Sequence, residues 1–305
     1  MPTFIFGHKS PDTDAIASPI AYAYLKKRLG EDVQVGRLGE INNETAYALE
    51  YFKQKKPQLI NSLKEDTPVI LMDHNERQQS IHDLESFRIK EIIDHHKIAN
   101  IETKEPIYFR TEPVGCTATI VYQLYRENGI ELPEKEAGLM LSAIISDTLL
   151  FQSPTTAAKD RQAAKALAAA AGVEIKTYGL SLLKAGTDWS ATKDADLVRT
   201  DMKDFDMNGC KIRIAQVNTV DSAAILNRGE GLLAKMEQAV QAEALDLYIL
   251  MITDILQADS SLLAAGTMKD KAGEAFGKKL QNGVVELPGV VSRKKQVVPG
   301  LHRSV

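Results

Sequence analysis

The sequence predicts an α/β protein with an N-terminal, mostly parallel sheet flanked by helices. A smaller C-terminal α/β domain follows, with a site in the cleft between the two. Three observations carry this expectation. At 305 residues the chain is long for one domain. Its first half alternates short apolar runs with segments of helical period, the pattern of strands joined by crossover helices. Three of those apolar runs end in His or Asp: 3–7 runs into His8, 68–72 into Asp73-His74, and 91–93 into Asp94-His95-His96. Buried parallel strands of an open sheet present functional groups at their carboxyl ends, so these three ends are expected to converge.

In order, the segment 3–7 is a strand and 15–29 a helix closed by Gly30. A short strand at 33–35 and a helix at 43–55 follow, then the strands ending at Asp73 and Asp94 and another strand at 107–110. A small-residue turn at 114–117 opens a helix that runs to 127. The segment 134–146 is an apolar helix and 156–171 an alanine-rich one. The polar break at 185–194 marks a boundary, giving domains 1–187 and 195–305 with a hinge at 188–194. Beyond it, strands are expected at 211–217, 247–251 and 261–266, and helices at 229–244 and 269–280. The chain then reaches the basic run 292–296.

Composition excludes several classes. Hydrophobic residues make up 44%, enough for ordinary cores. No apolar run approaches the roughly 18 residues of a membrane span, and the N-terminus enters a strand without a basic leader, so no secretion signal or membrane partner is expected. Cys116 and Cys210 offer no pairing framework, which points to a reduced cytoplasmic compartment. A net charge of −4 gives no global attraction to nucleic acid, so any anion site must be a local cluster of cations.

His8, Asp12 and Asp14 lie where a strand end and a stiff Pro11 turn can aim all three at one centre; Asp12 or Asp14 could instead cap the next helix. Asp73 can be a ligand or a turn residue. The adjacent His95 and His96 can be ligands or a buried, satisfied pair. Asp147 ends the apolar stretch 139–146, where it is either solvated or, if buried, in need of a partner such as a metal.

Four carboxylates (Asp12, Asp14, Asp73, Asp147) and two imidazoles (His8, His95) balance two divalent cations, with a shared aspartate bridging them at roughly 3.5–4 Å. Mixed imidazole and carboxylate ligation suits Mn²⁺, Co²⁺ or Zn²⁺ better than Mg²⁺, and the absence of nearby thiolates argues against a structural zinc. Arg293, Lys294 and Lys295 are either a solvated run or a phosphate clamp, with Lys203 a further candidate.

The strings GHKSPDTDAIAS, LMDHNE, IIDHHK, EPVGCTATI, LSAIISDT and VVSRKKQVVPG resemble the family II (manganese-dependent) inorganic pyrophosphatases of the DHH phosphoesterase superfamily, in order and over nearly the whole chain. The resemblance implies one Mn²⁺ on His8, Asp12, Asp73 and Asp147 and another on Asp14, Asp73, His95 and Asp147, with Co²⁺ able to substitute. It implies that His96, Lys203, Arg293 and Lys294 bind pyrophosphate as the catalytic cations, and that Mg²⁺ arrives with substrate. A hydroxide between the metals would attack phosphorus in line, domain closure would exclude water, and the protein would be a homodimer through its N-terminal domain. Two other readings stand beside it. One is another DHH phosphoesterase, an exopolyphosphatase or short-oligonucleotide phosphodiesterase, although no Gly-Gly-Gly-His string occurs here. The other is a non-catalytic phosphate sensor, although no expected ligand is missing.

Overall fold

A computed structural model describes residues 1–305 apart from the side chains of Lys294 and Lys295. The chain forms two compact units, Met1–Gly186 and Thr187–Val305.

The first unit runs β1 (Thr3–Phe6), α1 (Asp14–Arg28), β2 (Val33–Arg37), α2 (Asn43–Tyr51), β3 (Gln58–Leu59), β4 (Pro68–Met72), β5 (Arg88–Asp94), β6 (Tyr108–Thr111), α3 (Thr117–Glu127), α4 (Glu134–Thr148), α5 (Ala158–Ala171) and α6 (Ile175–Gly186). Its six strands lie in the order β3-β2-β1-β4-β5-β6, and every pairing is parallel. The winding reverses between β1 and β4, the place where an open parallel sheet leaves a crevice beyond its carboxyl ends. β4 is buried along its whole length, as a central strand of a covered sheet must be, which is why PVILM is an unbroken apolar run.

Gly7 ends β1 because nothing larger fits. A Cβ there would stand 2.2 Å from the Ala15 carbonyl oxygen, so the strand exit lies directly against the first turn of α1. That contact brings His8 over the same turn that carries Asp14. The apolar α4 buries residues around most of its circumference, among them Leu139, Met140, Leu141, Ile144 and Ile145, because it packs against both α1 and α5. It continues to Thr148, so Asp147 lies in its last turn rather than after it.

The second unit contains α7 (Asp194–Leu197), β7 (Lys203–Met207), β8 (Cys210–Thr219), α8 (Ser222–Leu226), α9 (Gly229–Glu243), β9 (Leu247–Asp254), β10 (Asp259–Ala265), α10 (Lys271–Glu274), β11 (Val284–Leu287) and α11 (Val298–His302), with a π-helical turn at Arg293–Val297. Its five strands are ordered β11-β10-β9-β8-β7; β8 and β9 are parallel and the other pairs antiparallel. Alternate residues of β8 and β9 feed two cores. Val217 and Leu250 meet Leu232, Met236 and Val240 of α9, whereas Ile214 and Met251 share a cluster with Ala272, Val297 and Leu301.

Several elements differ from the sequence expectations, two of them with a clear physical reason. The helix expected over 269–280 is a single turn, because Gly277 takes a left-handed φ of 66° and the chain reverses. β7, KDFDM, was not anticipated: it is an edge strand whose alternate residues are charged and exposed, so it carries no apolar run. Among the described residues no single helix is long and apolar enough to cross a membrane.

Candidate metal centre

The carboxyl ends of β1, β4 and β5 bring their ligand-type side chains together. His8 Nε2 stands 3.5 Å from Asp12 Oδ2 and 3.5 Å from Asp73 Oδ2. On the other side of the same carboxylate, His95 Nε2 is 3.4 Å from Asp73 Oδ1 and 4.0 Å from Asp147 Oδ2. Asp73 thus offers one oxygen to each imidazole, and its side chain is only 1% exposed. Among the described residues, three groups have ligand atoms mutually within 4.8 Å: His8, Asp12 and Asp73; Asp73, His95 and His96; and Asp14, Cys116 and Asp147.

Backbone and neighbouring polar groups hold these side chains. Asp12 does both things the sequence allowed: Oδ1 accepts from the Ala15 N–H at 3.0 Å, capping α1, while Oδ2 faces His8. Asp14 is fully buried; it accepts from the Thr117 N–H at 2.6 Å, the Ala118 N–H at 3.2 Å and the Ser18 hydroxyl. These two amides open α3, and a helix N-terminus favours an anion. His95 Nδ1–H donates to the Val114 carbonyl at 3.0 Å, which turns Nε2 toward Asp73 as the nitrogen that would ligate. The Thr117 hydroxyl donates to Asp73 Oδ1 at 3.0 Å. Asp73 itself adopts a left-handed φ of 59°, an uncommon conformation for a non-glycine residue that concentrates at functional sites.

The electrostatics fit bound cations. Burial, then the charge of Asp73, pushes the Asp14 carboxyl up to about 7. Asp147 is raised well above the usual carboxylate range by burial and by Asp14, Asp12 and Asp73. Burial alone would lower both histidines, but the carboxylates outweigh it. Asp12 and Asp73 raise His8 to about 10, and Asp73 and Asp14 raise His95 to about 9. Burial also opposes ionisation of Asp73, yet His8 and His95 hold it below its ordinary value. Crowded buried carboxylates that retain protons are what divalent cations would relieve, so the donor set suits the metals named from the sequence.

Two neighbours of the centre stand outside the expected ligand set, and two residues were missed. His74 does not join the site. Nδ1–H donates to the Met72 carbonyl at 2.8 Å and Nε2 lies 3.0 Å from Ser80 Oγ, so it is a satisfied core histidine, pushed down to about 4 by burial. A thiol does lie nearby: Cys116 sits in the Asp14–Asp147 group. Burial first, then those two carboxylates, pushes that thiol well up, so it remains a neutral neighbour rather than a thiolate. Thr117 and Ser18 were not singled out. Their spacing within EPVGCTATI and from Asp14 was the available signal, but only the fold brings α3 to Asp14.

Of the expected substrate residues, His96 stands beside the centre, 53% exposed, with Nδ1 3.7 Å from Asp73 Oδ1. Its Nδ1 and backbone N–H both donate to Asp94 Oδ1, at 2.8 and 3.1 Å, and Asp94 is fixed in turn by the Asn75 amide at 2.5 Å. Lys203 and Arg293 belong to the second unit. Lys203 is exposed at the start of β7 and pairs in register with Ile214. Arg293 is buried; it donates to the Ile214 carbonyl at 3.2 Å, to Asp201 Oδ2 at 3.0 Å and to the Asp201 carbonyl. The Lys294 side chain lies outside the described residues.

Comparison with known proteins gives the family. Residues 2–144 match the DHH family N-terminal domain and residues 180–304 the DHHA2 domain. The manganese-dependent inorganic pyrophosphatase of Bacillus subtilis is 53% identical over 97% of this chain and 96% of its own. This chain belongs to the family II, manganese-dependent inorganic pyrophosphatases. A solved Methanococcus jannaschii structure assigned to the same family is 41% identical, with a TM-score of 0.66 and 99% of both chains covered. An exopolyphosphatase-related protein of Bacteroides fragilis, 15% identical with a TM-score of 0.53 over 99% of this chain and 91% of its own, shares the fold alone. Family membership accounts for the pairing of a DHH unit with a DHHA2 unit in the chain.

Proposed function

We propose that the protein hydrolyses inorganic pyrophosphate to two phosphates at a dinuclear manganese centre. The observation that carries this reading is Asp73, whose Oδ2 faces His8 and whose Oδ1 faces His95 at nearly equal distances. A carboxylate bridging two cations needs that disposition. His8, Asp12, Asp73 and Asp147 would hold one Mn²⁺, and Asp14, Asp73, His95 and Asp147 the other. Co²⁺ could take their place, with Mg²⁺ arriving on the substrate. Such a pair of cations supplies Lewis acidity and lowers the pKa of water toward neutrality.

The chain's own residues do the rest. Asp94 holds His96 through Nδ1 and, by that hydrogen bond first, raises its pKa, so the ring tends to carry a proton for a phosphate oxygen. Lys203, Arg293 and Lys294 supply further positive charge for the substrate. Arg293 binds Ile214, the register partner of Lys203, so these two cations share one stretch of β8. The segment 188–194 is the proposed hinge, between domains 1–187 and 195–305. A homodimer through the first unit is supported by β6, a terminal strand on which Tyr108 and Phe109 are exposed. Two free cysteines support a cytoplasmic setting, where pyrophosphate removal would pull biosynthetic reactions forward.

The test is phosphate release by metal-stripped protein re-loaded with Mn²⁺ and assayed with Mg²⁺ on pyrophosphate, tripolyphosphate, ATP and a dinucleotide. Turnover confined to pyrophosphate is expected. Preference for tripolyphosphate or the dinucleotide would overturn the substrate assignment, and silence on all four with Mn²⁺ bound would favour a phosphate sensor.

A further inference from the structure

Asp160, at the third position of α5, is fully buried and lies on the far side of the 114–118 segment in the hydrogen-bond chain. Its Oδ2 accepts from the Ala157 N–H at 2.7 Å, closing the first turn of α5, and from the Gly115 N–H at 2.8 Å. Its Oδ1 accepts from the Thr119 hydroxyl at 2.6 Å. Among the described hydrogen bonds none joins Asp160 to His8, Asp12, Asp14, Asp73, His95 or Asp147.

The segment that Asp160 holds makes four contacts with the candidate ligands. The Val114 carbonyl sets the tautomer of His95, the Thr117 and Ala118 N–H groups bind Asp14, and the Thr117 hydroxyl binds Asp73. The fit is tight: a Cβ on Gly115 would stand 2.8 Å from Asp160 Oδ2 and 2.8 Å from Thr148 Cγ2, next to Asp147. Asp160 therefore grips Gly115, next to Val114, and Thr119, next to Ala118, and so holds both ends of the stretch that orients three ligands.

We propose that Asp160 is a positioning residue for the metal centre, acting through the 114–118 backbone; the inference rests on the manganese reading above. What matters is its hydrogen bonds rather than its charge. An asparagine can keep all three: its carbonyl oxygen accepts from Gly115 and Ala157, and its amide donates to Thr119 once that hydroxyl reverses. An alanine keeps none.

The test is calorimetric titration of Mn²⁺ into metal-stripped wild type, Asp160→Ala and Asp160→Asn, with folding checked by circular dichroism. Residues that orient metal ligands change affinity by about 10- to 100-fold when removed. Asp160→Ala is expected to lose at least about tenfold in Mn²⁺ affinity, with Asp160→Asn within about threefold of wild type. Wild-type affinity in folded Asp160→Ala would overturn the proposal, as would equal losses in both variants. Should Asp160→Ala not fold, Thr119→Val decides: it removes the hydroxyl that Asp160 Oδ1 holds, so a loss of Mn²⁺ affinity supports the proposal and wild-type affinity refutes it. A wild type that takes up no Mn²⁺ would refute the manganese reading itself.

Discussion

The hydroxyl of Thr117 donates to Asp73 Oδ1 at 3.0 Å, so the first residue of α3 fixes the carboxylate at the end of β4. The same residue's N–H binds Asp14, and one position thereby sets two ligands that arrive from different elements. Thr117→Val keeps the shape and removes the donor. It is expected to weaken Mn²⁺ binding by about tenfold while leaving the fold intact. Equilibrium Mn²⁺ binding beside a thermal melt checks this.

His74 separates a core role from a ligand role. His74→Leu leaves the Met72 carbonyl and the Ser80 hydroxyl without their imidazole partner in a buried site. Stability is expected to fall by about 2 kcal/mol, since an unsatisfied buried polar group costs about 1–3 kcal/mol. Urea unfolding measures that loss; Mn²⁺ stoichiometry should not change, and a lost metal ion would make His74 a ligand.

Metal binding should release protons. Without metal, His8 is raised to about 10, His95 to about 9 and Asp14 to about 7, so the site holds protons near neutral pH. Ligation requires neutral imidazoles and ionised carboxylates. Each proton that Mn²⁺ must displace becomes easier to remove as pH rises, so affinity is expected to strengthen between pH 6 and 9. Titration calorimetry in buffers of different ionisation enthalpy gives the number released, and a pH-independent affinity would contradict the ligand set.

The substrate side is tested apart from the metals. Lys203→Ala should raise KM for pyrophosphate by about tenfold, in keeping with about 1.5–3 kcal/mol for a charged hydrogen bond, with Mn²⁺ affinity unchanged. Steady-state kinetics at saturating Mn²⁺ reads the first quantity and metal titration the second.

The centre was legible where ligand chemistry coincides with strand ends. Asp73 and His95 follow apolar runs whose burial forces their ends into the crevice, and His8 follows a glycine that only a close strand–helix approach requires. Local sequence could not separate His74 from Asp73. The left-handed turn at Asp73, φ 59°, precedes a ring that bonds back to Met72, and an aspartate at that position does not announce such a turn. Cys116 and Asp160 were invisible for a different reason. Their roles depend on contacts with Asp14, 102 positions away, and Gly115, 45 positions away, which exist only once α1, α3 and α5 are packed. The edge strand β7 escaped because its exposed charges imitate a loop.

The most direct test of a two-metal centre shared across Asp73 is equilibrium titration of Mn²⁺ into metal-stripped wild type and Asp73→Asn. Asparagine keeps the side-chain size and tolerates the left-handed backbone, so the comparison isolates the carboxylate. The account predicts two tight Mn²⁺ ions per wild-type chain and the loss of both tight sites in Asp73→Asn. A single site in wild type, or two undiminished sites in the variant, would contradict it.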